Sequence, residues 1–172
     1  MLPLFIKYFD DGCKDPNYIP IASQNISTLE AGANAKVFGH LIDFLELQTI
    51  IITDIDATHQ KGSNYWTACT VSDGKNTSNQ TIKHYFRHDD AIKIESNKSG
   101  KKITEKQVKA KQKELTEKWF TKIVDEKIET NSPHIKIAYQ TNEAGYHGRS
   151  FEDAFISINK DFIFNYKMKY LV

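Results

Sequence analysis

The sequence predicts an α/β fold, a mainly parallel sheet with helices packed around it. Two observations carry that expectation. The run from Thr49 to Thr53 is β-branched throughout, the composition of a strand buried on both faces. Ahead of it, "NAKVFGHLIDFLEL" sets Val37, Leu41, Phe44, Leu45 and Leu47 on an amphipathic helix. A weak strand is expected before that helix, around Asn25 to Glu30, with Gly32 breaking it. Strand, helix, strand in this order implies a right-handed parallel crossover.

The other elements follow from spacing and punctuation. Leu2, Phe5, Ile6 and Phe9 repeat at helical intervals, and "DGCKDPNYIP" is then a loop. Residues 57 to 77 are polar and turn-rich, with "DGKNTSN" as the expected loop; Thr77 or Ser78 would cap a short helix through Phe86. From Thr104 to about Ile128 the chain reads as a long charged helix. Its apolar stripe of Val108, Leu115, Trp119, Ile123 and Val124 is narrow, so the helix is expected to project from the domain. "HIKIAY" alternates like a strand, "NEAGYHG" is a turn, and Ser150 opens a last helix carrying Phe151, Phe155, Ile158 and Phe162 on one face. No internal repeat or low-complexity linker divides the 172 residues, so one domain is expected over 1–172.

Composition excludes some classes of function. A formal charge of +1 gives no global bias toward a polyanion. Locally, Lys98, Lys101, Lys102, Lys106, Lys109, Lys111, Lys113 and Lys118 stand against only Glu105, Glu114 and Glu117. Cys13 and Cys69 have no metal-site spacing and cannot staple a domain of this size, so a reduced, cytoplasmic setting is expected. "MLPLFIKYF" is too short to cross a bilayer and lacks the features of a signal peptide. The six histidines are scattered along the chain, and a zinc site is not expected.

The chemistry concentrates at "IITDIDATH", residues 51 to 59. Asp54 and Asp56 fall where a buried strand runs out of its sheet, the place where open parallel sheets gather ligands. Two carboxylates there repel unless a cation lies between them, and oxygen ligands suit a hard divalent ion. The ordinary alternative is that they cap the next turn. "DIDAT" also fits the D-x-D-x-T signature of haloacid dehalogenase phosphatases, in which Asp54 would be the nucleophile. That signature belongs on a first strand, and no later "GDxxxD" pattern follows here. A sugar-nucleotide transferase D-x-D motif is the third reading, with nothing else in its favour.

Three ordered stretches favour another source. "EAGANAKVFGHLIDFLELQTIIITDIDATH", "ACTVSDGKNTSNQTIKHYF" and "AYQTNEAGYHGRSFEDAFI" resemble, in order, segments of the OLD family of ATP-dependent endonucleases. The resemblance covers most of residues 29 to 156 and implies the C-terminal Toprim nuclease domain of that family. It implies a Toprim-like α/β fold, with a long charged helical insertion at about 89–130. It also implies phosphodiester hydrolysis with Mg²⁺ or Mn²⁺, in a two-metal site, in defence against foreign DNA or in DNA processing. Asp54, Asp56 and Glu152 become the catalytic candidates, and Asp54, Asp56, Glu152 and Asp153 the metal ligands. Acidic residues in a helix's first turn also meet the helix dipole, the ordinary account of Glu152 and Asp153. Arg149 would hold a phosphate through its planar fork, and Ser78, Asn79 and Lys36 are further substrate-binding candidates. For Ser78 and Asn79 the ordinary role is helix capping, and for Lys36 solvation.

The chain also departs from that family. A Toprim domain opens with a strand and "EG", carrying a metal-binding, general acid-base glutamate; here "MLPLFIKYF" matches the helix that follows it. The expectation is a chain lacking its first strand, weak or inactive alone, related to longer proteins with an ABC-type ATPase domain. Implied partners are DNA, that ATPase domain and a second copy in a homodimer, with no membrane. The family's lysine beyond the third stretch is unassigned among Lys160, Lys167 and Lys169. A catalytically inactive DNA-binding or assembly module is the alternative from another class.

Overall fold

The computed structural model describes residues 2–62, 65–93 and 104–170, with backbone alone at 33 and 166–170. Lys98, Lys101 and Lys102 and the centre of the 89–130 insertion lie outside the described residues, as do the side chains of Lys167 and Lys169. The chain divides into two compact units, Met1–Ala31 and Gly32–Val172.

In the first unit, helix α1 (Leu2–Gly12) is followed by a 3-10 turn at Ile21–Ser23. Asp10 ties them together by accepting hydrogen bonds from the Ile21 and Ala22 N–H groups, at 2.9 Å each. Residues 25–30 form no strand. Ile26 and Leu29 are spaced three apart rather than alternating, so this stretch offers no apolar face to a sheet. The expected crossover before β1 is therefore not made.

The second unit is mixed α/β with a short parallel pair. β1 (Thr49–Ile52) lies parallel to β5 (Ile135–Ala138), with Ile51 opposite Ile137. The remaining pairing is antiparallel. β2 (Ala57–Lys61) lies between β3 (Tyr65–Ala68) and β4 (Asn76–Thr77), and β6 (Asn142–Glu143) forms a hairpin with β7 (Tyr146–His147). The sheet content is thus not mainly parallel. Residues 57 to 77, read as polar and turn-rich with no strand assigned, supply three of the strands; "ATHQK" lacks a strand-like apolar period but finds partners on both edges. β1 is buried on one face only: Ile51 is 9% exposed, whereas Ile50 and Ile52 are 68% and 67% exposed.

The helices follow the sequence more closely. Residues Gly32–Phe38 form 3-10 turns kinked at Asn34, leading into α2 (Gly39–Phe44). α3 (Gln80–Tyr85) is capped by Asn79 rather than by the expected Thr77 or Ser78, so it starts one or two residues later. α4 (His88–Ile92) follows after Arg87, which takes a left-handed φ of 52°. α5 (Glu105–Val124) opens with a capping box in which Thr104 accepts from the Gln107 N–H and Gln107 reaches back to Thr104. Glu126, with a φ of 56°, lies just past its end, short of the expected Ile128. The last helix is two, α6 (Phe151–Ile158) and α7 (Lys160–Tyr170), divided at Asn159.

α5 does not project along its whole length. Thr116, Trp119, Phe120 and Ile123 are buried, and the last three join Ile55, Ala57, Val71, Ile82 and Phe86 in the main core cluster. A smaller cluster of Ile51, Tyr85 and Ile135 lies under the parallel pair. Gly74 is needed beside the main core, since a Cβ there would come within 2.7 Å of the Phe120 ring.

Candidate active site

The candidate site is the turn from Thr53 to Asp56, between β1 and β2. Asp56 has a φ of 45°, a left-handed conformation that aspartate tolerates better than most residues. Asp54 and Asp56 follow β1 by two and four residues, just beyond the carboxyl end of that strand, and β2 then pairs antiparallel with β3 and β4.

Residues 77 to 79 brace this turn carbonyl by carbonyl. The Asn79 Nδ2 donates to the Asp54 carbonyl at 2.8 Å, the Thr77 hydroxyl to that of Ile55 at 2.6 Å, and the Ser78 N–H to that of Asp56 at 3.0 Å. Asn79 also donates to the Thr53 hydroxyl at 2.7 Å, and its Oδ1 accepts the Thr81 and Ile82 N–H groups. Its side chain is buried and its polar atoms are committed inside the fold, as a helix cap and a clasp on Asp54. Ser78 is exposed, with its hydroxyl 3.5 Å from the Asp56 carbonyl. Lys36 lies half-buried in the 3-10 segment, and no hydrogen bond or ion pair joins it to the aspartates among the described residues.

A second set of contacts orients the Asp54 carboxylate. Gln140, just beyond β5, donates its Nε2 to Asp54 Oδ1 at 2.6 Å, while its Oε1 accepts the Ile55 N–H at 3.1 Å. Phe151, the first residue of α6, donates its N–H to the same Oδ1 at 2.9 Å. The start of the "FED" helix is thereby held at the Asp54 end of the sheet. Gly148 permits this approach, because a Cβ there would lie 2.7 Å from both the N and the Cβ of Ala154 in α6. Gln140 is a residue that reading the sequence missed. Its only signal is its place inside the third matching stretch; its partner lies 86 positions away.

The electrostatics separate the two aspartates. Burial pushes the Asp56 carboxyl above its ordinary pKa, and the Asp54 charge beside it adds to the rise, while the Arg149 guanidinium opposes both. A cation between the carboxylates would relieve that repulsion. Arg149 lines a shallow depression with Ala68, Cys69, Thr70, Tyr146, His147 and Asp153. His147 Nε2 lies 2.7 Å from the Gln140 carbonyl, which can only accept, so that nitrogen carries the proton.

The acidic pair on α6 is differently engaged. Asp153 Oδ2 accepts from the Tyr146 hydroxyl at 2.8 Å and the Arg149 N–H at 3.1 Å, while Ser150 caps the helix by accepting from the Asp153 N–H. Those bonds, the Arg149 N–H first, hold the Asp153 carboxyl below its ordinary range. Glu152 is exposed, and its carboxyl is lowered by its own backbone and by Ser150. Among the described residues no three His, Cys, Asp or Glu side chains converge to hold a metal. Two carboxylates are enough for Mg²⁺, which keeps several waters and takes its other ligands from phosphate oxygens.

If Gln140 orients a metal ligand, its loss should weaken the metal without unfolding the chain. Removing such an outer partner typically costs about 10- to 100-fold in affinity. Gln140→Leu is therefore expected to lower Mn²⁺ affinity by that amount, measured by calorimetry. An affinity equal to that of the parent chain would show that Phe151 suffices.

With the site described, similarity to other proteins can be placed on it. Endonuclease GajA of Bacillus cereus (strain HuB5-5) is 28% identical over 156 residues, which is 90% of this chain. The chain spans 18% of that protein's length. The aligned span is long enough to include the Asp54 turn, its brace and at least part of α6. No family model matches the chain, and no solved structure matches it. No described helix is long and apolar enough to cross a membrane.

Proposed function

We propose that this chain is the metal-dependent DNA-cleaving domain of an OLD-type nuclease, with a Toprim-like arrangement of its acidic residues. The observation that carries the reading is the Asp54–Asp56 turn. Its three carbonyls are each satisfied by residues 77–79, and the Asp54 carboxylate is aimed by Gln140 and the Phe151 N–H. A chain that merely needed a turn would not require two adjacent carboxylates, one of them with a raised pKa, at its apex. The similarity to an endonuclease over 90% of the chain supports the same reading.

In this reading Asp54 and Asp56 hold Mg²⁺ or Mn²⁺. The ion supplies charge neutralisation at the phosphodiester and a more acidic water. Arg149, beside Asp56, binds a phosphate oxygen through its guanidinium. Glu152 is the acidic residue with freedom to join the site, being exposed on the first turn of α6, whose Phe151 N–H meets Asp54. Asp153 and Asn79 serve instead to hold the Arg149 turn and the Asp54 carbonyl.

The test combines Mn²⁺ titration with nicking of supercoiled plasmid in Mg²⁺, Mn²⁺ or EDTA. Mn²⁺ is expected to bind, and Asp56→Asn to remove that binding. Any nicking should require metal and vanish in the same variant. Mn²⁺ affinity unchanged by Asp56→Asn would overturn the proposal.

A further inference from the structure

α5 has two unlike halves. Its C-terminal half is anchored: Trp119, Phe120 and Ile123 pack with Ile55 and Ala57, the residues on either side of Asp56. The Trp119 Nε1 also donates to the Phe86 carbonyl at 2.8 Å. The N-terminal half, from Glu105 to Glu114, is exposed except for partly covered Val108, yet it is held helical by the Thr104 capping box. It is a helical arm continuous with the half of α5 that packs against the residues flanking Asp56.

The lysines on this arm fall into two groups. Lys111 and Lys118 both pair with Glu114, at 3.1 and 2.6 Å, so their charge is partly neutralised within the helix. Lys106, Lys109 and Lys113 lie at i, i+3 and i+7, on one face, and form no ion pair among the described residues. Glu105 and Glu117, each one turn from a member of that trio, stay outside ion-pair distance of it. The face is therefore positively charged in a chain whose net charge is only +1.

We infer that the Lys106–Lys109–Lys113 face of α5 is a docking surface for the phosphate backbone of duplex DNA. This deepens the nuclease reading and rests on it for the choice of DNA as the polyanion. The dimensions agree: seven residues at about 1.5 Å each set Lys106 and Lys113 about 10 Å apart along the axis. A DNA strand presents a phosphate about every 3.4 Å of its axis, so about three fall within that length. Lysines without partners meet phosphates as mobile point charges, which gives affinity without sequence preference.

Counterion release makes the inference measurable. Each phosphate contact contributes about 0.9 to the slope of log affinity against log salt. The probe is a fluorescent 30-base-pair duplex of arbitrary sequence, titrated with the full 172-residue chain across salt concentrations. The triple variant Lys106→Gln, Lys109→Gln, Lys113→Gln should lower that slope by about three and weaken binding on the order of 10²-fold at 0.1 M salt. The control, Lys111→Gln, Lys118→Gln, Lys122→Gln, removes the same charge from other positions on the helix and should lose far less. Equal losses in both triples, or an unchanged slope in the first, would overturn the inference. Salt-dependent binding through the first trio by a chain in which Asp56→Asn leaves Mn²⁺ affinity unchanged would leave this inference standing and sink the catalytic reading alone.

Discussion

Asp54→Asn is expected to abolish Mn²⁺ binding while leaving the fold in place. Asp54 Oδ1 accepts from Gln140 Nε2 and from the Phe151 N–H, so both neighbours at that oxygen are donors. An asparagine must therefore turn its carbonyl oxygen to them, which leaves its NH₂ where Asp54 Oδ2 had been. A donor then faces the position a cation would occupy, and one negative charge is gone. Two effects on the metal-free chain oppose each other. The Gln140 and Phe151 bonds lose the charge assistance that makes hydrogen bonds to a carboxylate the stronger kind. In return, Asp56 loses a repulsive neighbour that helps raise its pKa. A raised carboxyl pKa means the folded chain holds that proton more tightly than the unfolded chain. It therefore costs stability at neutral pH, and removing the Asp54 charge reduces that cost. Thermal unfolding near that of the parent chain, together with no heat of Mn²⁺ binding, is the expected pair of results. Mn²⁺ affinity within a few-fold of the parent would mean that the metal does not depend on Asp54.

Some of this site was legible in the sequence. The β-branched run marked β1, and the break to two aspartates marked where it ends, because composition alone distinguishes an apolar strand from an acidic turn. The brace was half legible. Thr77, Ser78 and Asn79 all suit a helix start, and only the backbone decides that Asn79 is the cap while Thr77 turns to the Ile55 carbonyl. Gln140 was not legible in its role, because a polar side chain reaching across 86 positions leaves no periodic trace. β2 was missed for a related reason. Its residues Thr58 and His59 are polar, and Thr58 is buried by pairing with Ala68 and Asn76 rather than by an apolar pattern. The parallel crossover was expected from strand–helix–strand order, but the parallel partner of β1 comes from residues 135–138, far along the chain. The narrow stripe on α5 was read as a helix projecting throughout. Phe120 was left out of that stripe, and it completes the buried face with Trp119 and Ile123.

Trp119→Ala is expected to have the largest effect on stability. Trp119 is 3% exposed, donates to the Phe86 carbonyl at 2.8 Å and meets the His88 ring edge-on at 4.7 Å between centroids. Truncating a buried tryptophan to alanine costs about 3–5 kcal/mol. The Phe86 carbonyl would lose its indole donor, at a further cost of about 1–3 kcal/mol if water cannot replace it. That loss is a large fraction of the roughly 5–15 kcal/mol that keeps a typical domain folded. Trp119→Phe separates the two contributions, keeping most of the apolar contact and removing only the N–H donor. It should cost about 1 kcal/mol from the hydrogen bond, plus whatever the smaller ring leaves unfilled. The consequence should also reach the candidate site, because Ile55 and Ala57 share the core cluster with Trp119 and flank Asp56. Urea unfolding followed by far-ultraviolet circular dichroism gives the stability, and Mn²⁺ titration of the folded fraction gives the coupling. The expected order is parent, Trp119→Phe, then Trp119→Ala, for both quantities. A Trp119→Ala chain within 1 kcal/mol of the parent would mean that α5 is not moored in this core, and its lysine face could not then be held in a fixed relation to Asp54 and Asp56.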